Sequence, residues 1–236
     1  MQTQIEEFSD FIKYESQFGL RVVLKDLIEI NRLYFRKRYI QNIIHFADKE
    51  KFRFTFFVRS FDIEKKVGLL KKLKKSGHEI ASHGHTHVLY ENKSHNWLYK
   101  ELNKSKRVFQ KYNFQIKGFR SPFLSENKYL SDVLEKLEFN YVSNKFFNIN
   151  ENNNNNNKLI SDFISWPSDW HGLIVNKMSI NEIILEWKNN PGTINLHPWI
   201  FFKYYYNIKE LIGEQKDLRI ISNLNKKKYK ITFDLY

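Results

Sequence analysis

Cysteine is absent from the 236 residues. That excludes a disulfide framework, a thiolate zinc site and a thiol nucleophile, and it leaves histidine and carboxylate as the side chains able to hold a metal. Long apolar runs are also missing, since none approaches the roughly 18 consecutive residues of a membrane span. The N-terminus, MQTQIEEFSDFIKYE, is polar and acidic, without the basic start and apolar stretch of a secretion signal. A soluble, cytoplasmic protein is therefore expected. Neither an internal repeat nor a domain boundary is visible, so residues 1–236 read as one domain.

What is present suits a core. Hydrophobic residues make up 42% and aromatics 17%, well outside the range of disordered chains. The net charge is +13. Such an excess can serve nucleic acid, a membrane surface or acidic glycans. Here the basic residues are scattered, and Lys, Asn, Ile, Phe and Tyr are abundant together, which reads as compositional bias. No nucleic-acid partner is expected, and the basic charge is compatible with peripheral membrane contact.

Along the chain, strand patterns alternate with helical ones. LRVVL (20–24) reads as a first buried strand, followed by a helical pattern to about residue 50. FRFTFFV, HEIASH, FQIKGFR, NYVSN, a segment near 159–165 and GTINLH read as further strands, with helices between them. Strands are also expected near 218–222 and 229–235. The asparagine run from Asn152 to Asn157 reads as a mobile loop within 150–158. Alternating elements imply parallel strands with right-handed crossovers, in which function gathers at the C-terminal strand ends.

Those ends carry the chemistry. SHGHTH offers His83, His85 and His87, and a spacing of four puts His83 and His87 on one face of a helical turn while His85 points elsewhere. Imidazole is the natural ligand for zinc at neutral pH. A catalytic zinc needs a third protein ligand and an open position for water, and Asp26, after the first expected strand, is the candidate. GFRSPF places Arg120 at a strand end, where its fork can orient a carboxylate. WPSDW sets Asp169 among tryptophans suited to sugar faces. NLHPW places His197 where a general acid could act.

The ordered set TFFV, GHEIASHGHTH, RSPF, SDW and LHP resembles the polysaccharide deacetylase family, also called the NodB homology domain or carbohydrate esterase family 4. The likeness spans about 20–200. It implies a distorted (β/α) barrel, removal of N- or O-acetyl groups from sugars, and one divalent metal, most simply Zn2+, held by an Asp and two His. It assigns Asp26, His83 and His87 to the metal. Arg120 becomes the residue that positions the base, and Asp169 the residue that steers His197, the general acid. Pro122, Phe123, Trp166, Trp170 and Leu196 become substrate contacts, with Leu196 under the acyl methyl. Gly84 stands where the family has Ser or Thr.

The first motif departs. The family carries an Asp-Asp pair after its first strand, the first acting as base and the second binding metal. Here Lys25 precedes Asp26, and a protonated lysine cannot take a proton from water. A general base is worth roughly 10²–10⁴ in rate, so its loss need not abolish turnover. Thr232-Phe233-Asp234 resembles the missing motif, but its place in the chain is not the family's, and Asp234 reads as an ordinary strand-end residue. The expected function is metal-dependent removal of an acetyl or formyl group from an N-acylated sugar, in a precursor linked to nucleotide or lipid, at or near the inner membrane surface. A deacetylase-like sugar-binding protein without the base is the alternative.

Overall fold

The computed structural model describes residues 2–30, 36–146, 159–190, 192–213 and 230–235. The asparagine run and the strand expected near 218–222 lie outside them. Three helices lead: α1 (Gln2–Ser16), α2 (Leu20–Ile30) and α3 (Arg36–Glu50). Then come β1 (Thr55–Val58), α4 (Ile63–Lys75), β2 (Glu79–Ser82), α5 (His95–Lys111), β3 (Gly118–Phe119), α6 (Leu130–Lys136), β4 (Tyr141–Val142) and β5 (Ile160–Ser161). The chain continues through α7 (Ile180–Asn189), β6 (Thr193–Leu196), α8 (Pro198–Lys203), α9 (Tyr205–Gly213) and β7 (Lys230–Leu235).

The seven strands are all parallel and run in the order β5-β4-β3-β2-β1-β7-β6. The two edges nearly meet. Ile164 bridges to Thr193, Ser165 N–H donates to the Thr193 carbonyl at 2.9 Å, and Thr193 N–H donates to that of Phe163 at 2.9 Å. The result is a curled, distorted (β/α) barrel. Strand side chains alternate between its two faces. Phe56, Val58, Phe233 and Leu235 join the apolar layer under the helices, whereas Phe57 packs inside with Ala81 and Tyr141. The flanking helices are locally well specified. Ser94 caps α5 by accepting from Trp97 N–H, and Ser179 with Glu182 forms a full capping box on α7.

Two features differ from the sequence reading. LRVVL is not a strand; it opens α2, where Val22 and Val23 are buried. A five-residue apolar run does not by itself distinguish strand from helix, and the apolar positions continue at helical spacing through Leu27 and Ile30. Asp26 is therefore not at a strand end, and its side chain lies outside the described residues. Second, the sheet position between β1 and β6 is taken by β7 from the far end of the sequence. Thr55 lies beside Thr232, Phe57 beside Asp234, and Leu196 beside Phe233.

Candidate functional site

The loop after β2 brings the histidines in. His83 is buried, and its Nδ1–H meets the Arg120 carbonyl at 3.0 Å, which leaves Nε2 as the nitrogen with a lone pair. The His87 ring lies 5.3 Å from that of His83, centroid to centroid. Burial, chiefly, lowers the His83 pKa to about 4 and holds that of His87 well below its ordinary value. Both are neutral near pH 7 and suited to ligation. His85 turns away to Ser60 Oγ at 2.9 Å. The loop is clamped by Glu101 of α5, whose Oε1 accepts from His85 N–H at 3.0 Å, Thr86 N–H at 2.6 Å and Thr86 Oγ1 at 2.7 Å.

Gly84, between the two ligand candidates, has φ +77°. A Cβ there would sit 2.3 Å from Tyr90 Oη. This turn needs glycine on two grounds, which explains the departure from Ser or Thr.

Arg120, fully buried at the end of β3, links three strands. Its Nε donates to the Ser143 carbonyl at 2.9 Å, and Nη2 donates to Ser143 Oγ at 2.7 Å. Nη1 reaches Asn195 Oδ1 at 2.7 Å, Thr232 Oγ1 at 2.9 Å and Asp234 Oδ1 at 3.0 Å. Asn195 Nδ2 donates to the other Asp234 oxygen at 3.1 Å. Thr232 and Asp234 share one face of β7 because strand side chains repeat every second residue. Burial acts to raise the Asp234 pKa, but Arg120, followed by His83, His197 and the Asn195 hydrogen bond, holds it below the ordinary carboxylate value. Asp234 is thus an ionised carboxylate facing the histidines. Asp234 is therefore not an ordinary strand-end residue but a buried member of this charge network, and Lys25 does not follow a strand. Lys25 lies in α2, where its Nζ donates to the Leu173 carbonyl at 3.3 Å.

His197, at the end of β6, is fixed by the fully buried Asp169. Asp169 Oδ1 accepts from His197 Nδ1 at 2.8 Å, and Oδ2 accepts from His197 N–H at 2.5 Å. A carboxylate on Nδ1 fixes the tautomer, so a proton handed over by His197 travels through Nε2.

His83, His87, Asp234 and His197 line one cavity of about 300 Å3, together with Phe123 and Trp170. The other expected contacts do not line it. Leu196 is buried in the outer core, Pro122 is buried in its turn, and Trp166 is 43% exposed, edge-on to Phe146. Sequence reasoning missed the cavity's remaining wall. Glu7, Phe11 and Tyr14 of α1 line it as well, and their three- and four-residue spacing was the available signal.

A divalent metal fits this donor set only in part. Two neutral imidazoles are in place, but among the described residues no group of three or more His, Cys, Asp or Glu could hold an ion. Leu235, which follows Asp234, is apolar and buried and offers no oxygen to an ion.

Imidazoles and carboxylates thus converge in one cavity of a distorted parallel barrel, and that fold is of the carbohydrate-deacetylase type. The polysaccharide deacetylase family model matches residues 31–142, just under half of the chain, so the chain is similar to that family over this stretch. A peptidoglycan-N-acetylglucosamine deacetylase of Bacillus cereus is 28% identical over 98 residues, 42% of this chain and 44% of that one. The chain thus matches less than half of that relative's length. A carbohydrate esterase family 4 pseudoenzyme from Bacillus anthracis superposes with a TM-score of 0.60 at 14% identity, covering 84% of this chain and 65% of that one. A family 4 carbohydrate esterase from Streptomyces lividans, in complex with acetate, gives 0.54 at 15% identity, over 75% and 82%. At such identities these two likenesses speak for the fold. Among the described residues no helix is long and apolar enough to cross a membrane.

Proposed function

We propose that the chain hydrolyses the N-acyl amide of an N-acetylated or N-formylated sugar, with Asp234 as the base toward water and His197 as the acid toward the leaving nitrogen. The observation that carries this reading is the pair of tethered groups in one cavity: Asp234 held ionised by Arg120, and His197 held in one tautomer by Asp169. The two differ in environment as an acid–base pair must. In this reading Asp234 takes a proton from water as water attacks the acyl carbon. His197 Nε2 gives a proton to the sugar nitrogen as the C–N bond breaks, yielding the free amine and the carboxylic acid, which loses its proton to solvent. His83 and His87 are the proposed protein half of a divalent-metal site, most simply zinc, which when bound supplies an electrophile for the acyl oxygen; Asp26 is the sequence-based candidate for its third ligand. A nucleotide- or lipid-linked precursor at the inner membrane face is one form the substrate can take.

Purified protein, supplied with divalent metals and N-acetylated or N-formylated sugars, is expected to release acetate or formate. Asp234→Asn and His197→Ala are each expected to lower that release by about 10²–10⁴. Release undiminished in both variants would sink the reading. A second reading rests on Leu235: without the second aspartate the chain is a sugar-binding relative of the pseudoenzymes. Sugar binding with no acid release under any metal supports it.

A further inference from the structure

We propose that α1 is the specificity element of the site, reducing the cleft to a pocket for a single N-acylated sugar ring, either free or at the end of a larger molecule. The inference rests on the sugar-site reading above.

Helix α1 lies over the mouth with one face inward. Glu7, Phe11 and Tyr14, spaced as one helical stripe, line the same cavity as His83, His87 and His197. It is pinned rather than draped. Glu7 Oε1 accepts from His87 N–H at 2.7 Å, and Glu7 Oε2 pairs with Arg59 at 2.7 Å. Asp10 accepts from Leu89 N–H at 2.8 Å. Tyr14 Oη hydrogen-bonds to His171 Nε2 at 3.2 Å, and His171 Nδ1 is held by Ser168 Oγ at 2.8 Å. The helix is thus fastened to the histidine loop on one side and to the SDW loop on the other.

The aromatic walls are engaged from the same direction. The Tyr14 ring lies 4.9 Å from Phe123 and 6.0 Å from Trp170, and Phe18 meets Trp170 edge-on at 5.8 Å. A glycan running past the reactive centre needs such faces open on both sides of the attacked unit. Here they are covered, and the remaining space is about 300 Å3. That is the lower limit of the roughly 300–1,000 Å3 typical of small-molecule sites. One ring with its acyl group fits this space, and a continuing chain meets Tyr14 and Phe11.

Equilibrium binding of N-acetylglucosamine and of its β-1,4-linked pentamer to the full chain tests this. The wild type is expected to bind the pentamer less than about tenfold more tightly than the single sugar, and Tyr14→Ala or Phe11→Ala is expected to raise that preference by about tenfold. Two variants are used so that a folding defect in one leaves the other, and thermal melts identify such a defect. A wild-type preference for the pentamer of about tenfold or more, or an unaltered preference in every folded variant, overturns the proposal while leaving a sugar site standing. Failure of the wild type to bind either sugar overturns both the sugar reading and this one. Binding in the expected pattern without acid release upholds the pocket and removes only the hydrolytic step.

Discussion

Replacing Asp234 with alanine removes the carboxylate that accepts from Arg120 at 3.0 Å and from Asn195 at 3.1 Å. The guanidinium it leaves behind is fully buried. An unpaired buried charge costs roughly 3–5 kcal/mol, because desolvation is no longer offset by its partner. In a domain of this size each kcal/mol moves the melting temperature by about 2–4 °C, so a fall of roughly 6–20 °C is expected. Asp234→Asn keeps the shape and loses only the charge, so it should fall between wild type and Asp234→Ala. An ordinary strand-end residue would change stability by no more than about 0.5 kcal/mol. Calorimetric or denaturant unfolding of wild type, Asp234→Ala, Arg120→Met and the double variant measures the pair directly. The double variant should cost less than the sum of the singles, since removing both charges leaves neither unpaired. A cost below about 1 kcal/mol for Asp234→Ala, with additive singles, would refute the buried pair and the placement of β7 that creates it.

Four further outcomes are expected. Gly84→Ala should lose about 1–3 kcal/mol, from a φ of +77° and a Cβ 2.3 Å from Tyr90 Oη, and Tyr90→Phe in the same chain should recover part of it; urea unfolding reads both. Glu101→Ala leaves three loop donors without their acceptor, so a stability loss of about 1–3 kcal/mol should come with weaker divalent-metal uptake in titration. Asp169→Asn should cut acid release by about 10²–10⁴ with little change in sugar affinity, because it disturbs the His197 tautomer and not the cavity wall. His78 gives a pH test. It is buried and stacked on Phe54, and burial, then the nearby Arg53, lowers its pKa to about 4 against the opposing pull of Asp48. Its folded pKa lies below its unfolded value, so the stability it contributes is complete above about pH 6.5 and declines as pH falls toward 4. At pH 5 the loss is about 2 kcal/mol, and His78→Gln should flatten the slope of stability against pH over that window.

How much of this was legible in the sequence differs from part to part, for physical reasons. Alternation of apolar strands with helical spacing marked β1 to β6 and the helices between them, because those patterns are local and period-bound. The histidine spacing, Arg120, Asp169 and His197 were visible as side chains at strand ends, and the family resemblance rested on them. LRVVL was ambiguous because its helical character shows only when the stretch through Ile30 is read as one face. The N-terminal helix carried a legible stripe, but nothing in a sequence says which surface a stripe will cover.

The sequence by itself determined the barrel class, the histidine pair, and the Arg120 and His197 loops, because each is written in a short contiguous stretch. It also contained ITFDLY, but chain order argued against giving Asp234 a role. Only the tertiary structure set Asp234 beside Arg120 in the cavity of the histidines. Hydrogen bonds between parallel strands join segments by position in the sheet and not along the chain, so β7 lies between β1 and β6 although some 170 residues separate it from β1. Strand periodicity then turned Thr232 and Asp234 inward to Arg120, and the packing of α1 set how much of the cleft stayed open.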